Sequence, residues 1–354
     1  MAVIHGGDLE SFYQEYQYDP LDFSANCNPL GVPAGVKSAI CLGAEKIDAY
    51  PDPLCRRLCA ALGRHENLSA DKILCGNGSA DLIDRLASAG KPGCALLTSP
   101  TFAEYERAIR SSGFTVRFHP LAAADDYCVT PAILDDLTPE VTMLFLCNPN
   151  NPTGLTVAPD LLLGILAKCS QNGTLLVLDE CFNGFLDQPE AHSLKPYLDL
   201  YPNLLILKAF TKLYGMAGVR LGYCLSSNRA LLERLRQSGQ PWAVSSLAQA
   251  AGLAALGETA YVEAARQLVK SEREKMIRAL QALTLKVYRS EANYLFFRAS
   301  QPDLAEQLRK KGILIRDCSQ YRSLGPGYYR VAIRTESENK RLIAALAACT
   351  GVET

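Results

Sequence analysis

Residues Asn203–Tyr223 read NLLILKAFTKLYGMAGVRLGY. The apolar run Leu204–Leu207 gives way to small and polar residues, and Lys212 follows at the mouth of the expected strand. Arg220 lies eight positions after the lysine, beyond a glycine-containing loop, and the chain then turns apolar again. A strand-end lysine with a fixed cation downstream suits a phosphate-bearing aldehyde: the amine captures the carbonyl and the cation holds the phosphate. On these residues alone, a surface Lys and Arg on a loop between two strands is the better reading. The order of elements around them reverses it.

From Leu54 onward short apolar strands alternate with helices. Helix 54–64 leads to strand 73–75, and GNGSAD opens helix 79–89; strand 94–98, helix 102–112 and strand 114–118 follow. Strand 142–147 ends in CNPNNPTG, helix 158–171 leads to strand 174–178, which ends in DE, and strands 203–207 and 219–224 flank the lysine. Such alternation predicts an α/β architecture with a mainly parallel sheet covered on both faces. Beyond Pro241 the texture changes to long helices over 244–282. Short strands at 285–288, 292–298, 313–315 and 328–333 come next, with helices around 303–311 and 336–348, as in a smaller α+β unit. The expected division is an N-terminal arm over 1–40 that joins the small domain, a large domain over 41–240 and a small domain over 241–354.

Bulk properties narrow the function classes. The chain has 354 residues, 48% hydrophobic and 21% charged, with a net charge of −1. No global field draws in nucleic acid or an acidic membrane, so any anionic ligand must be gathered by locally placed arginines. No apolar run approaches the roughly 20 residues that span a bilayer, and MAVIHGGDLE lacks the basic-then-apolar order of a signal peptide. The 13 cysteines are scattered, odd in number and without a C-x-x-C pair. Free thiols in a cytoplasmic protein are therefore expected, with neither a metal site nor a disulfide framework.

Polar residues follow the strands at four places, where an open α/β sheet builds its site. Gly76–Ala80 opens a helix whose N–H groups suit a phosphate, although an ordinary Gly turn has the same look. Asn150–Gly154 closes another strand, and Asn, Pro and Gly favour a plain turn anyway. Asp179 ends the run TLLVL, and a carboxylate there needs a partner because an unpaired buried charge is costly. Lys212 and Arg220 complete the set.

The order GNGSAD, PTFAEY, NPNNPTG, LDECF, TK and then GxR, spread over nearly the whole chain, resembles the fold-type I pyridoxal-phosphate enzymes of the aspartate aminotransferase superfamily. The resemblance implies an aspartate aminotransferase-like fold and pyridoxal 5′-phosphate as cofactor, in a Schiff base with Lys212, which would later shuttle a proton. It also implies that Asp179 keeps the ring nitrogen protonated, Asn151 hydrogen-bonds the phenolic oxygen and Phe102 stacks on the ring. Gly78, Ser79, Ala80, Thr211 and Arg220 would hold the phosphate. Tyr50 resembles the tyrosine that reaches that phosphate from a second subunit, which implies a homodimer. Two positions depart from the aminotransferase pattern: Phe182 stands where a tyrosine usually meets the phenolic oxygen, and Ala209 stands where a serine often touches the phosphate.

The arms HGGD (5–8), LDFSANCNPLG (21–31), PW (241–242) and LIRDCSQYRSLGPGYYRVAIR (314–334) are similar to the threonine-phosphate decarboxylases of cobalamin biosynthesis, in which Phe is also found three residues after the Asp. This resemblance carries substrate binding onto His5, Gly6, Asn26, Asn151, Arg316 and Arg330. A phosphorylated amino acid brings a carboxylate and a phosphate of roughly −1.5 to −2 charge, for which Arg316 and Arg330 are suitable forks; Arg334 is read as a solvated residue. Placing the substrate phosphate in the strong cationic seat would turn the carboxylate out of the ring plane, so that the bond to CO2 breaks rather than Cα–H. O-Phospho-L-serine differs by one methyl and is an open variant. Histidinol-phosphate aminotransferases share NPLG and the terminal Arg strand and are the alternative, with a non-catalytic cofactor-binding module the third reading.

Overall fold

A computed structural model describes residues 6–351. The chain opens with helix α1 (Leu9–Tyr16) and strand β1 (Leu21–Asp22), then helices α2 (Ala34–Gly43) and α3 (Arg56–Glu66). Strand β2 (Ile73–Gly76) leads into helix α4 (Ser79–Ala89), β3 (Cys94–Ser99), helix α5 (Ala103–Ser111) and β4 (Thr115–Pro120). Strands β5 (Val141–Cys147), β6 (Leu175–Asp179), β7 (Leu204–Ala209) and β8 (Gly222–Leu225) complete a seven-stranded sheet in the order β2-β8-β7-β6-β5-β3-β4. Strand β8 runs antiparallel to β7 and β2, while β7, β6, β5, β3 and β4 are parallel.

The central strands are apolar throughout because both faces are covered. Leu204 and Ile206 pack into the core on one side, with Leu176 and Leu178. Leu205 and Leu207 pack on the other, with Val177. Period-2 alternation still operates, but both destinations are dry, so the sequence shows a continuous apolar run.

The second sheet holds β9 (Lys286–Val287), β10 (Tyr294–Arg298), β12 (Arg316–Asp317) and β13 (Tyr328–Ala332) in the order β12-β13-β10-β9. Strand β11 (Ile313–Leu314) pairs in parallel with β1, which ties the arm to this part of the molecule. Helix 246–255 packs on the core of the seven-stranded sheet, through Ala248, Ala251 and Ala255. No helix among the described residues is long and apolar enough to cross a membrane.

In the arm, Asp8 caps α1 by accepting the Ser11 N–H at 3.2 Å, and Phe12 is buried beneath it. Two local expectations are corrected. Helix Arg229–Ser238 follows β8 unforeseen, capped by Asn228 and buried through Leu231, Leu232 and Leu235. Strand β8 begins at Gly222, not 219, because 217–219 form a 3₁₀ turn and Arg220 adopts the left-handed region at φ 58°.

Behind the ends of β6 and β7 lies a buried ionic cluster. Lys208 stands 3.3 Å from Glu66 and 3.7 Å from Glu180, and Glu66 also meets Lys195 at 3.1 Å and the Tyr223 hydroxyl at 2.6 Å. Burial alone would raise the Glu66 carboxyl, but Lys208, Tyr223 and Lys195 outweigh it and hold the group at about 2. A carboxyl depressed in the folded state adds stability above its unfolded pKa and loses it as pH falls through the folded value. Denaturant unfolding across pH should therefore show wild type exceeding Glu66→Gln by on the order of 3 kcal/mol near neutrality. The gap should close between about pH 5 and pH 2; a gap independent of pH would refute the coupling.

Candidate functional site

The site lies where the parallel strands end. Strand β2 delivers Ser79 and Ala80 at the start of α4, β3 delivers Phe102, β5 delivers Asn151, β6 ends on Asp179 and β7 leads to Lys212. Because β8 runs the other way, its beginning lies at the same edge and brings Arg220 there. From the second sheet come Arg316 and Arg330, and from the arm Gly6 and Asn26. All of these residues line one cavity of about 420 Å³.

Its charge is uneven. Lys212, Arg220, Arg316 and Arg330 face Asp179 and Glu104. Arg316 and Arg330 stand directly opposite each other in the antiparallel β12–β13 pair, an arrangement that like charges disfavour. Arg330 is only 5% exposed. It donates to the Ser24 carbonyl at 2.7 Å and to Asn151 Oδ1, and it lies over the Tyr294 ring. The guanidinium of Arg316 lies over the Tyr321 ring, 5.5 Å from its centroid.

Two features suit the binding of a polar carbonyl ligand. Asn26 is 2% exposed, yet neither its Oδ1 nor its Nδ2 has a hydrogen-bond partner among the described residues. Buried amides are ordinarily paired. Lys212 is pushed below the ordinary lysine range by burial, with Arg330 and Arg220 adding to the effect. A larger neutral fraction is what a carbonyl-capturing amine needs.

Asp179 has the partner its position requires. Its Oδ2 accepts the Tyr105 hydroxyl at 2.6 Å and its Oδ1 accepts the Cys181 N–H at 2.9 Å. Tyr105 was missed, although it stands one helical turn after Phe102 in the very motif PTFAEY. At the phosphate-suited end, Gly78 has φ +84°, and a Cβ there would come within 2.8 Å of Arg220 Nη2. Only glycine lets the guanidinium lie against the opening of α4, where unpaired N–H groups favour an anion. Phe182 is packed edge-on against Tyr294, whose hydroxyl is taken by the Asn150 carbonyl at 2.8 Å. Lys212 Nζ lies 5.5 Å from the Phe182 ring centroid.

Other expected site residues are not among the described residues that line this cavity. Thr211 is buried in the short helix Phe210–Leu213, beside the lysine. Tyr50 is 82% exposed and stacks on Trp242 at 4.8 Å. His5 lies outside the described residues. Tyr321 is an addition: its hydroxyl lies 3.5 Å from Asn151 Oδ1 at the cavity wall. Among the described residues no group of His, Cys, Asp or Glu is arranged to hold a metal ion.

A two-faced sheet with lysine, aspartate and an arginine-backed helix start at its carboxyl edge is the architecture of an aspartate aminotransferase-like enzyme. Residues 19–346 match the family model for aminotransferase class I and II, and the chain belongs to that family. It is 41% identical over 348 residues to threonine-phosphate decarboxylase of Salmonella typhimurium, covering 97% of this chain and 95% of that protein. It is also 34% identical over 353 residues to histidinol-phosphate aminotransferase of Symbiobacterium thermophilum, covering 98% and 96%. Among solved structures, histidinol-phosphate aminotransferase from Clostridium acetobutylicum superposes with a TM-score of 0.88 at 28% identity, over 93% of this chain and 99% of that one. Members of the family bind pyridoxal 5′-phosphate, and the residues here fit it: a carboxylate, an anion seat and a lysine of lowered pKa share one cavity.

Tyr105→Phe would leave Asp179 Oδ2 without its donor in a buried site. Chemical denaturation should show a loss of roughly 1–3 kcal/mol, whereas an unchanged midpoint would mean that the hydroxyl does not support the carboxylate.

Proposed function

We propose that this protein is a pyridoxal-phosphate-dependent decarboxylase of O-phospho-L-threonine, giving (R)-1-amino-2-propanol phosphate in cobalamin biosynthesis, in the cytoplasm. The observation that carries the reading is the Arg316–Arg330 pair, opposed across two strands and facing the same cavity as Lys212. Two guanidiniums lining one cavity suit a ligand with more than one anionic group, and a phosphorylated amino acid supplies a carboxylate and a phosphate. Full-length similarity to a threonine-phosphate decarboxylase supports the same substrate.

In this reading Ser79, Ala80, the Gly78 backbone, Thr211 and Arg220 hold the cofactor phosphate. Asp179, supported by Tyr105, pairs with the ring nitrogen; Phe102 covers the ring and Asn151 takes its phenolic oxygen. When bound, the cofactor supplies an electron sink for the pair left by the breaking bond. Arg316, Arg330, Asn26, Gly6, His5 and Asn151 grip the substrate, and the hold on its non-reacting phosphate decides which bond at Cα is exposed. The carboxyl group leaves as CO2, and Lys212, as the ammonium, returns a proton to Cα. With Phe182 in place of tyrosine, Asn151 faces the phenolic oxygen without help from a hydroxyl at that position.

The arm (1–40), large domain (41–240) and small domain (241–354) are the proposed functional units. A second copy of the chain is the proposed cover for Tyr50 and Trp242, with Leu42, Ile47 and Leu54 also exposed nearby in sequence. That contact would carry Tyr50 toward the other subunit's phosphate seat. A monomer by sedimentation would contradict it.

Purified protein with O-phosphothreonine should release CO2. With histidinol phosphate and 2-oxoglutarate it should form no glutamate. Glutamate without CO2 would make it an aminotransferase, and silence in both assays would favour a binding module; O-phosphoserine in the same assay reads out the methyl group. Arg330→Ala should lower kcat/KM roughly 10- to 100-fold or more, the worth of a charge-assisted hydrogen bond. Lys212→Ala should abolish covalent attachment of pyridoxal phosphate, and attachment elsewhere would mean a different lysine serves.

A further inference from the structure

Three cysteines form a cluster that the proposed reaction does not use. Cys55 immediately precedes α3, Cys59 lies one turn along that helix and Cys75 lies on β2. The Cys59 and Cys75 sulfurs are 3.7 Å apart. All three are buried. Beside them is a cavity of about 320 Å³, lined by Cys55 and Cys75 and by Arg85 and Arg236. The hydrogen bond from Cys75, opposed by burial and helped by the Arg236 charge, holds the Cys59 thiol below its usual range. Hydrogen bonding with Cys55 and Cys59, then burial, pushes Cys75 up. The 3.7 Å contact leaves the Cys59 and Cys75 sulfurs within reach of each other once either is oxidised.

The cluster is mechanically joined to the opening of α4. Cys75 is followed directly by Gly76, Asn77, Gly78 and Ser79. A Cβ on Gly76 would meet Leu82 Cγ at 2.7 Å and Asp81 Oδ2 at 2.9 Å, so this turn has no slack. Asp81 accepts the Asn77 N–H at 2.8 Å and two bonds from Arg85, at 2.9 and 2.7 Å. Arg85 also lines the thiol cavity. Strand β2 and the Arg85–Asp81–Asn77 chain thus connect the thiol cavity to the loop.

We propose that Cys59 and Cys75 are an oxidisable pair, closed to a disulfide by hydrogen peroxide or an organic peroxide, and that closure disturbs the 76–79 loop and weakens its hold on the cofactor phosphate. One thiolate of the pair attacks a peroxide oxygen; the S–O bond forms, the O–O bond breaks and hydroxide leaves. The other sulfur then attacks the sulfenic sulfur; the S–S bond forms, the S–O bond breaks and that thiol's proton leaves with the departing oxygen as water. The two thiols give up two electrons and hydrogen peroxide is reduced to two waters. The second half of the proposal rests on the reading of residues 76–79 as the cofactor-phosphate seat.

The test is peroxide titration of the holoenzyme, followed by intact mass and peptide mapping. The expected result is loss of two hydrogens, a link between the peptides carrying Cys59 and Cys75, and reversal by dithiothreitol. The Kd for pyridoxal phosphate should rise at least about tenfold, the worth of one charge-assisted hydrogen bond. Cys59→Ser should keep its Kd under peroxide, and Cys55→Ser should still form the link. No link, a link through Cys55, or oxidation only to sulfinic acid would overturn the pair. A correct link with unchanged Kd would overturn the coupling. Ser79→Ala in the reduced protein separates the two readings: an unchanged Kd there would reject the phosphate seat, while mass and map still decide on the thiol pair.

Discussion

Strands β3, β5, β6 and β7 lie between two dry layers, so a polar side chain on them must emerge at a strand end or be paired inside. Leu204–Leu207 and Leu176–Leu178 fill both faces and leave no room for solvated groups. Asp179 and Lys212 follow from this constraint, one ending β6 and the other just past β7. The reversed direction of β8 returns Arg220 to the same edge, and the glycine at 78 lets it lie against the start of α4. The remaining cations come from outside this sheet, on β12 and β13.

Those two arginines set the electrostatic problem that the cavity solves. Opposed guanidiniums repel, and burial of Arg330 removes the water that would otherwise screen it. Neighbouring carbonyl and amide oxygens, such as Ser24 and Asn151 for Arg330, take some of the donors. Asn26 nevertheless keeps both polar ends without a partner among the described residues. A ligand with an acidic group for the Nδ2 donor and an N–H for the Oδ1 acceptor would satisfy what the protein leaves open, and the proposed amino-acid phosphate carries both.

Much of this was legible in the sequence because strand ends announce themselves: an apolar run followed by Asp179, by the 148–154 turn, or by Lys212 is a local pattern. The pairing of Asp179 with Tyr105 is not local, being a contact over 74 positions that no spacing encodes. The register that sets Arg316 against Arg330 was hidden for the same reason. Helix 229–238 does carry local signals, the Asn228 cap and the leucine spacing of its buried face. Arg220 reads as the start of a strand by its neighbours, but its backbone is left-handed and its guanidinium lies against Gly78. Tyr50 stays outside the cavity of its own chain, so its proposed role depends on a second copy.

The central claim is that the cationic seat exposes the bond to the carboxylate at Cα rather than the bond to hydrogen. Substrate deuterated at Cα decides this directly when turnover is followed in ordinary water by mass spectrometry of the amine product. The account predicts that the amino-alcohol phosphate keeps its Cα deuterium and gains one solvent hydrogen. Loss of the deuterium to solvent, with a keto product or an exchanged substrate, would show that Cα–H is the bond the site breaks and would contradict the account.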